Sequence, residues 1–281
     1  MISTALTVLA FALYVASVVC YGASIFGRAP AGSPAGLMSS NAASGRKLLV
    51  AGILTQFIAI GAWCTTEHVS PFASPYGTLA VTAWMTTIAF AYVERRNRLT
   101  AAGMVILVVA CLMLFWGVLH ARSPITTSRV ITGDLVTLHV MTIVASFALF
   151  VVASGCAVLY LAQDRMLKAS RTNALFRRFP PLSALDAVAY HAVALALPLL
   201  TIGLGLGFVR TYGGGLHHTP AQFLADPKTI ASLVTWLLYG IYLGARSLAG
   251  WRGRKLQYIL ILGLTLALAL YVVPTSAHRF G

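Results

Sequence analysis

The chain has 281 residues, of which 59% are hydrophobic and 9% charged, with a mean hydropathy of +0.84. Water-soluble globular proteins do not have that balance. The net charge of +14 invites a nucleic-acid reading, but the basic residues collect in alternate loops between apolar runs, so no nucleic-acid partner is expected.

Apolar runs of about 18 residues or more mark membrane-spanning helices. Eight are predicted, at roughly 3–25, 48–64, 78–93, 100–118, 135–163, 187–209, 229–247 and 256–273. The fold class is therefore an all-α integral membrane protein, a bundle of about eight transmembrane helices forming one polytopic domain over residues 1–281. No alternating barrel-strand pattern appears, so helices must satisfy the backbone. The first run lacks a basic leader and is too long for a signal-peptide core, so its cleavage is not expected. Residues 26–47 are rich in Gly, Ala and Ser and read as a mobile loop. The fifth helix, about 29 residues or ~43 Å, exceeds the ~30 Å hydrocarbon core and should tilt or project. Pro198 is expected to kink the sixth helix. Pro227 suits the first turn of the seventh, with Asp226 as its N-cap.

Charge sets the orientation. Arg28, Arg46 and Lys47 lie between helices 1 and 2, and Arg95, Arg96 and Arg98 between 3 and 4. Arg165, Lys168, Arg171, Arg177 and Arg178 lie between 5 and 6, and Arg246, Arg252, Arg254 and Lys255 between 7 and 8. These are fifteen of the 20 basic residues. The positive-inside rule then makes these four loops cytoplasmic and both termini extracytoplasmic, in a multi-pass protein of a bacterial inner (plasma) membrane whose basic residues meet anionic lipid.

On this topology His68, His120, His139, His217, His218 and His278 all fall at or beyond the outer face. Neutral imidazole is the commonest protein metal ligand. His139, near the outer end of helix 5, and His278, just beyond helix 8, can supply both axial positions of a haem iron lying at that surface. His68 and His120 stand at similar depth as alternative ligands or supporting donors; the competing reading is solvated loop histidines. His217 and His218 in a Gly-rich loop offer at most an adventitious metal clamp. No HExxH or comparable zinc spacing is present. His191, one turn after Asp186, lies near the other face, where it can pair with Asp186 or settle beside Tyr190 as a structural histidine.

Other chemistry is thinly represented. Cys20, Cys64, Cys111 and Cys156 are scattered over four helices without a CxxC pair and read as small buried hydrophobes. None of the six acidic residues is predicted mid-membrane, which argues against a proton relay or ion-coupled transporter. No nucleophile elbow, P-loop or dinucleotide fingerprint appears. Haem handling, rather than catalysis, is the expectation.

Specific motifs sharpen this. Leu138-His139-Val140, then Ser146 and Tyr160-Leu161, precede Leu185-Asp186, Tyr190, Pro198-Leu-Leu-Thr-Ile-Gly203 and Gly207. Asp226-Pro-Lys-Thr229, Ser232-Leu233, Thr235-Trp-Leu-Leu-Tyr239, Tyr242-Leu243, Arg246 and Gly250-Trp-Arg-Gly253 follow, and Ser276-Ala-His-Arg-Phe280 closes the chain. With these motifs, residues 135–281 resemble the cytochrome c assembly protein family of haem-handling membrane proteins, which includes the CcsA, CcmC and HemX groups. The resemblance implies haem b, with His139 and His278 as outer axial ligands. It also implies that Asp226 and Lys228 fix the start of helix 7, the lysine being placed to meet a haem propionate. Implied partners are haem, membrane lipid and other cytochrome-assembly or tetrapyrrole-pathway proteins.

Two departures are visible. The family's tryptophan-rich WGxYWxWDPKE segment is here residues 210–226, whose only aromatics are Tyr212 and Phe223. The inner-membrane histidine of the synthases' YLHxR is Gly244. Nor does the sequence carry the large extracytoplasmic domain of a full synthase. It looks more like the HemX-type branch. The leading expectation is a haem-binding membrane protein of haem trafficking or cytochrome c maturation. The alternative is a haem-free scaffold or regulator of tetrapyrrole synthesis or complex assembly, acting through its basic loops.

Overall fold

The computed structural model describes residues 2–27, 36–66, 71–97, 99–119, 134–169, 176–213 and 226–272. Among them no strand occurs, and eight α-helices follow one another: α1 (Ile2–Phe26), α2 (Gly36–Thr66), α3 (Pro75–Asn97), α4 (Thr100–Leu119), α5 (Asp134–Lys168), α6 (Leu182–Gly213), α7 (Pro227–Ser247) and α8 (Arg254–Val272). Short 3₁₀ turns at Pro71–Ala73 and Phe176–Arg178 precede α3 and α6. Seven of the eight, all but α8, are long and apolar enough over the described residues to cross a membrane. The chain is thus a multi-span, all-α membrane protein.

The helices outrun several of the predicted spans. α5 has 35 residues, about 52 Å at the helical rise, and α6 is a continuous helix through Pro198. The largest correction concerns α2: residues 36–47, read from composition as mobile loop, are its first turns. Small side chains there allow close packing rather than looseness. A Cβ on Gly45 would stand 3.1 Å from the Tyr21 ring, and the Ser17 hydroxyl donates to the Gly45 carbonyl at 2.8 Å. Where lipid is as apolar as the side chains, such close approach and interhelical hydrogen bonds supply association.

α5 is the hub, packing against α3, α4, α6 and α8, while α1 pairs with α2 and α4. Phe150 of α5 stacks on Tyr239 of α7 with centroids 3.6 Å apart and rings nearly parallel. The Ser154 hydroxyl donates to the Leu260 carbonyl of α8 at 2.9 Å. Polar groups in the N-terminal half are likewise matched across helices. Tyr14 donates to Gln56 Oε1 at 2.8 Å, and Gln56 Nε2 donates to the Ala80 carbonyl at 3.0 Å. Arg178, on the turn before α6, donates to the carbonyls of Ile25 (2.6 Å) and Gly27 (2.9 Å). It thereby caps carbonyls at the end of α1 that have no intrahelical partner.

Candidate functional site

His139 sits in the second turn of α5, half-buried against the last turns of α6. Its Nδ1 lies 2.6 Å from the Gly203 carbonyl oxygen. A carbonyl only accepts, so Nδ1 donates to it, and in the neutral ring the lone pair is then on Nε2. That is the tautomer of a neutral, metal-ligating imidazole held in orientation by a backbone acceptor. Glycines of α6 make room for this face of α5, Gly207 for the His139 ring itself. A Cβ on Gly207 would stand 2.7 Å from His139 Cε1, and one on Gly203 would stand 2.7 Å from Ile143 Cγ1. Gly203 and Gly207, four residues apart, form a small-residue track on α6 on which α5 lies. The track is visible in the sequence as Gly-Leu-Gly-Leu-Gly, but its relation to His139, on another helix, comes only from packing. On α7, Trp236 Nε1 donates to Thr201 Oγ1 at 2.8 Å, tying α7 to α6 near the same level.

Asp226 caps α7 as its position before Pro227 predicts. Its backbone is extended (φ −64°, ψ 126°), and Oδ1 accepts from the amides of Lys228 at 2.8 Å and Thr229 at 3.4 Å. Asp226 is buried at 4% exposure and Lys228 is half-buried. The start of α7 is at the same end of the bundle as the start of α5, because helices alternate in direction. His68, His120, His217, His218 and His278 lie outside the described residues. Among the described residues no group of three or more His, Cys, Asp or Glu is placed to hold a metal ion. A haem iron asks less of the protein, since the porphyrin supplies four ligands and side chains only the axial ones.

The opposite end departs from expectation. Asp186 does not pair with His191. Its Oδ2 takes Arg246 Nη2 at 2.6 Å and its Oδ1 takes Gln257 Nε2 at 3.1 Å. The His191 ring is exposed, with Nδ1 2.7 Å from the Ala187 carbonyl of its own helix and Tyr190 edge-on at 5.4 Å. Arg246 also lies over the Tyr190 ring, 5.5 Å from its centroid. A second buried carboxylate, Glu94, accepts from Tyr21 at 2.7 Å, with Arg46 Nε 3.7 Å from its other oxygen. These partnerships join residues far apart in sequence, and charge alone does not disclose them. Gly244, at the synthases' histidine position, has no atom of another helix within 4 Å of where a Cβ would be. The described cysteines are all free, Cys111 and Cys156 buried and Cys64 exposed.

Fold and site define a polytopic helical membrane protein that presents an oriented imidazole at one end of its C-terminal helices. Residues 72–277 match the family described as Cytochrome C assembly protein, well over half of the chain, and the chain belongs to that family. The match reaches back to the turn before α3, earlier than the motifs from residue 135 onward indicate. It is similar to the cytochrome c biogenesis protein CcsA of Chlamydomonas reinhardtii, 24% identical over 248 residues, covering 83% of this chain and 66% of that one. CcsA of Guillardia theta is 23% identical over 252 residues, 81% of this chain and 82% of the relative. Protein HemX of Brevibacillus brevis is 28% identical over 140 residues, half of each chain. No solved structure matches.

Proposed function

We propose that this protein handles haem for cytochrome c maturation, holding haem b near the extracytoplasmic face through axial His139 and His278. The observation that carries the reading is the 2.6 Å contact from His139 Nδ1 to the Gly203 carbonyl, because a neutral imidazole donating from Nδ1 would ligate iron through Nε2. Family membership and the likeness to CcsA proteins support it. His139 and His278 would hold the haem, which when bound would supply an iron centre. The protein's share would be orientation and shelter: α6 holds the His139 ring, Asp226 caps the start of α7, and Lys228 would meet a propionate. The four basic loops face the cytoplasm under the positive-inside rule. Without the tryptophan-rich segment, aromatic stacking on the porphyrin is reduced, which suits transient holding and delivery.

Hemin titration of the detergent-purified protein tests the ligand pair. His139→Ala and His278→Ala should each abolish the six-coordinate bis-imidazole spectrum, and added imidazole should restore it. Wild-type spectra in both variants contradict the assignment. A second reading, a haem-free scaffold, draws on Gly244 and on the outward-facing His191, which leave no ring pair among the described residues at the basic end. It predicts capture of a soluble partner through residues 164–186 by protein that binds no hemin.

A further inference from the structure

The link between α7 and α8 turns sharply, with Gly250 at φ +64° and Gly253 at φ +101°, left-handed values that favour glycine. The turn brings Trp251, Arg252, Arg254 and Lys255 around an open groove of about 870 Å³, floored in part by Tyr160 and Asp164 of α5. Asp164 is the groove's one carboxylate, and it is already engaged: Oδ2 lies 3.1 Å from both Lys168 Nζ and Arg254 Nε. Among the described residues neither Arg252 nor Lys255, both exposed, has a carboxylate partner. α8 opens on Arg254 and Lys255 with no acid in its first turn. The positive end of a helix disfavours cations there unless an anion offsets them.

The walls are amphipathic as well as basic. Leu248, three residues before Trp251 in the same link, is 89% exposed, more than any other large hydrophobic residue among those described, and Trp251, which lines the groove, is 59% exposed. Tyr258 lines the groove, and Leu262 continues its exposed apolar strip one turn along α8. A free phosphate would use the cations and leave Leu248 and Trp251 in water. A phospholipid uses both, and the groove lies where apolar helices end and headgroups begin. We propose that the groove is a specific site for an anionic phospholipid. Its phosphate sits between Arg252, Lys255 and the first amides of α8, and an acyl chain follows Tyr258 and Leu262. This site is independent of haem binding at the other end.

Native mass spectrometry of the full chain, offered phosphatidylglycerol or phosphatidylcholine, tests it. The wild type should retain phosphatidylglycerol in preference. Arg252→Gln/Lys255→Gln should weaken that retention roughly tenfold or more, while the charge-conserving Arg252→Lys/Lys255→Arg keeps it and shows that the fold is intact. Lys47→Gln/Arg95→Gln, which removes two cations from the same membrane face, should have little effect. Equal retention of both lipids, equal loss in the Lys47/Arg95 variant, or displacement by inorganic phosphate overturns the proposal, the last by identifying a free anion as the ligand.

Discussion

At His139 one hydrogen bond sets both the tautomer and the direction of the ring, and Gly207 provides the space in which the ring lies. Gly207→Ala puts a methyl 2.7 Å from Cε1, so the ring must move off the Gly203 carbonyl. Loss of such orienting contacts costs roughly 10- to 100-fold in ligand affinity. We expect a hemin affinity reduced on that order, measured by titration, and an unaltered affinity would show that the α6 surface does not orient the ligand. Asp226→Ala removes an acceptor from two amides and should lower stability by about 1 kcal/mol, read as a lowered unfolding midpoint. The cap was legible in the sequence because Asp-Pro at a helix start is a local signal. The His139–Gly203 contact spans 64 residues, and only packing reveals it.

At the scale of helices, apolar runs located every span, because a lipid-facing helix declares itself by composition. Their ends were less legible. The first turns of α2 resembled a loop because Ala, Ser and Gly serve close helix packing as well as flexibility, and the deciding partner, Tyr21, is on another helix. The same reason hid the Asp186–Arg246–Gln257 network joining α6, α7 and α8. The side chains of Asp186 and Arg246 are only 10% and 14% exposed. Arg246→Ala therefore leaves a sheltered carboxylate without its cation and should cost about 3–5 kcal/mol. The apolar double variant Asp186→Leu/Arg246→Leu should recover much of that loss. Denaturant unfolding in detergent measures both, and a double variant no better than the single would show that the network acts through more than charge pairing.

For the whole molecule, the proposed topology has α8 cross as well, so that eight alternating helices return the chain to the side on which it began and basic residues mark the other side. Alkaline phosphatase fused to either terminus should be active, whereas fusions within 164–186 should be inactive. The reverse pattern would move His139 to the cytoplasmic face. On the proposed orientation the two ends divide the work: an oriented histidine and a capped α7 at the outer end, and buried ion pairs with a basic, aromatic groove at the inner one. The central claim concerns the outer end and is tested most directly by the absorption spectrum of the purified protein, oxidised and then dithionite-reduced, from cells supplied with haem precursor. The account predicts a Soret band with sharp reduced α and β bands that are lost on His139→Ala. A flat visible spectrum that persists after hemin is added would contradict it.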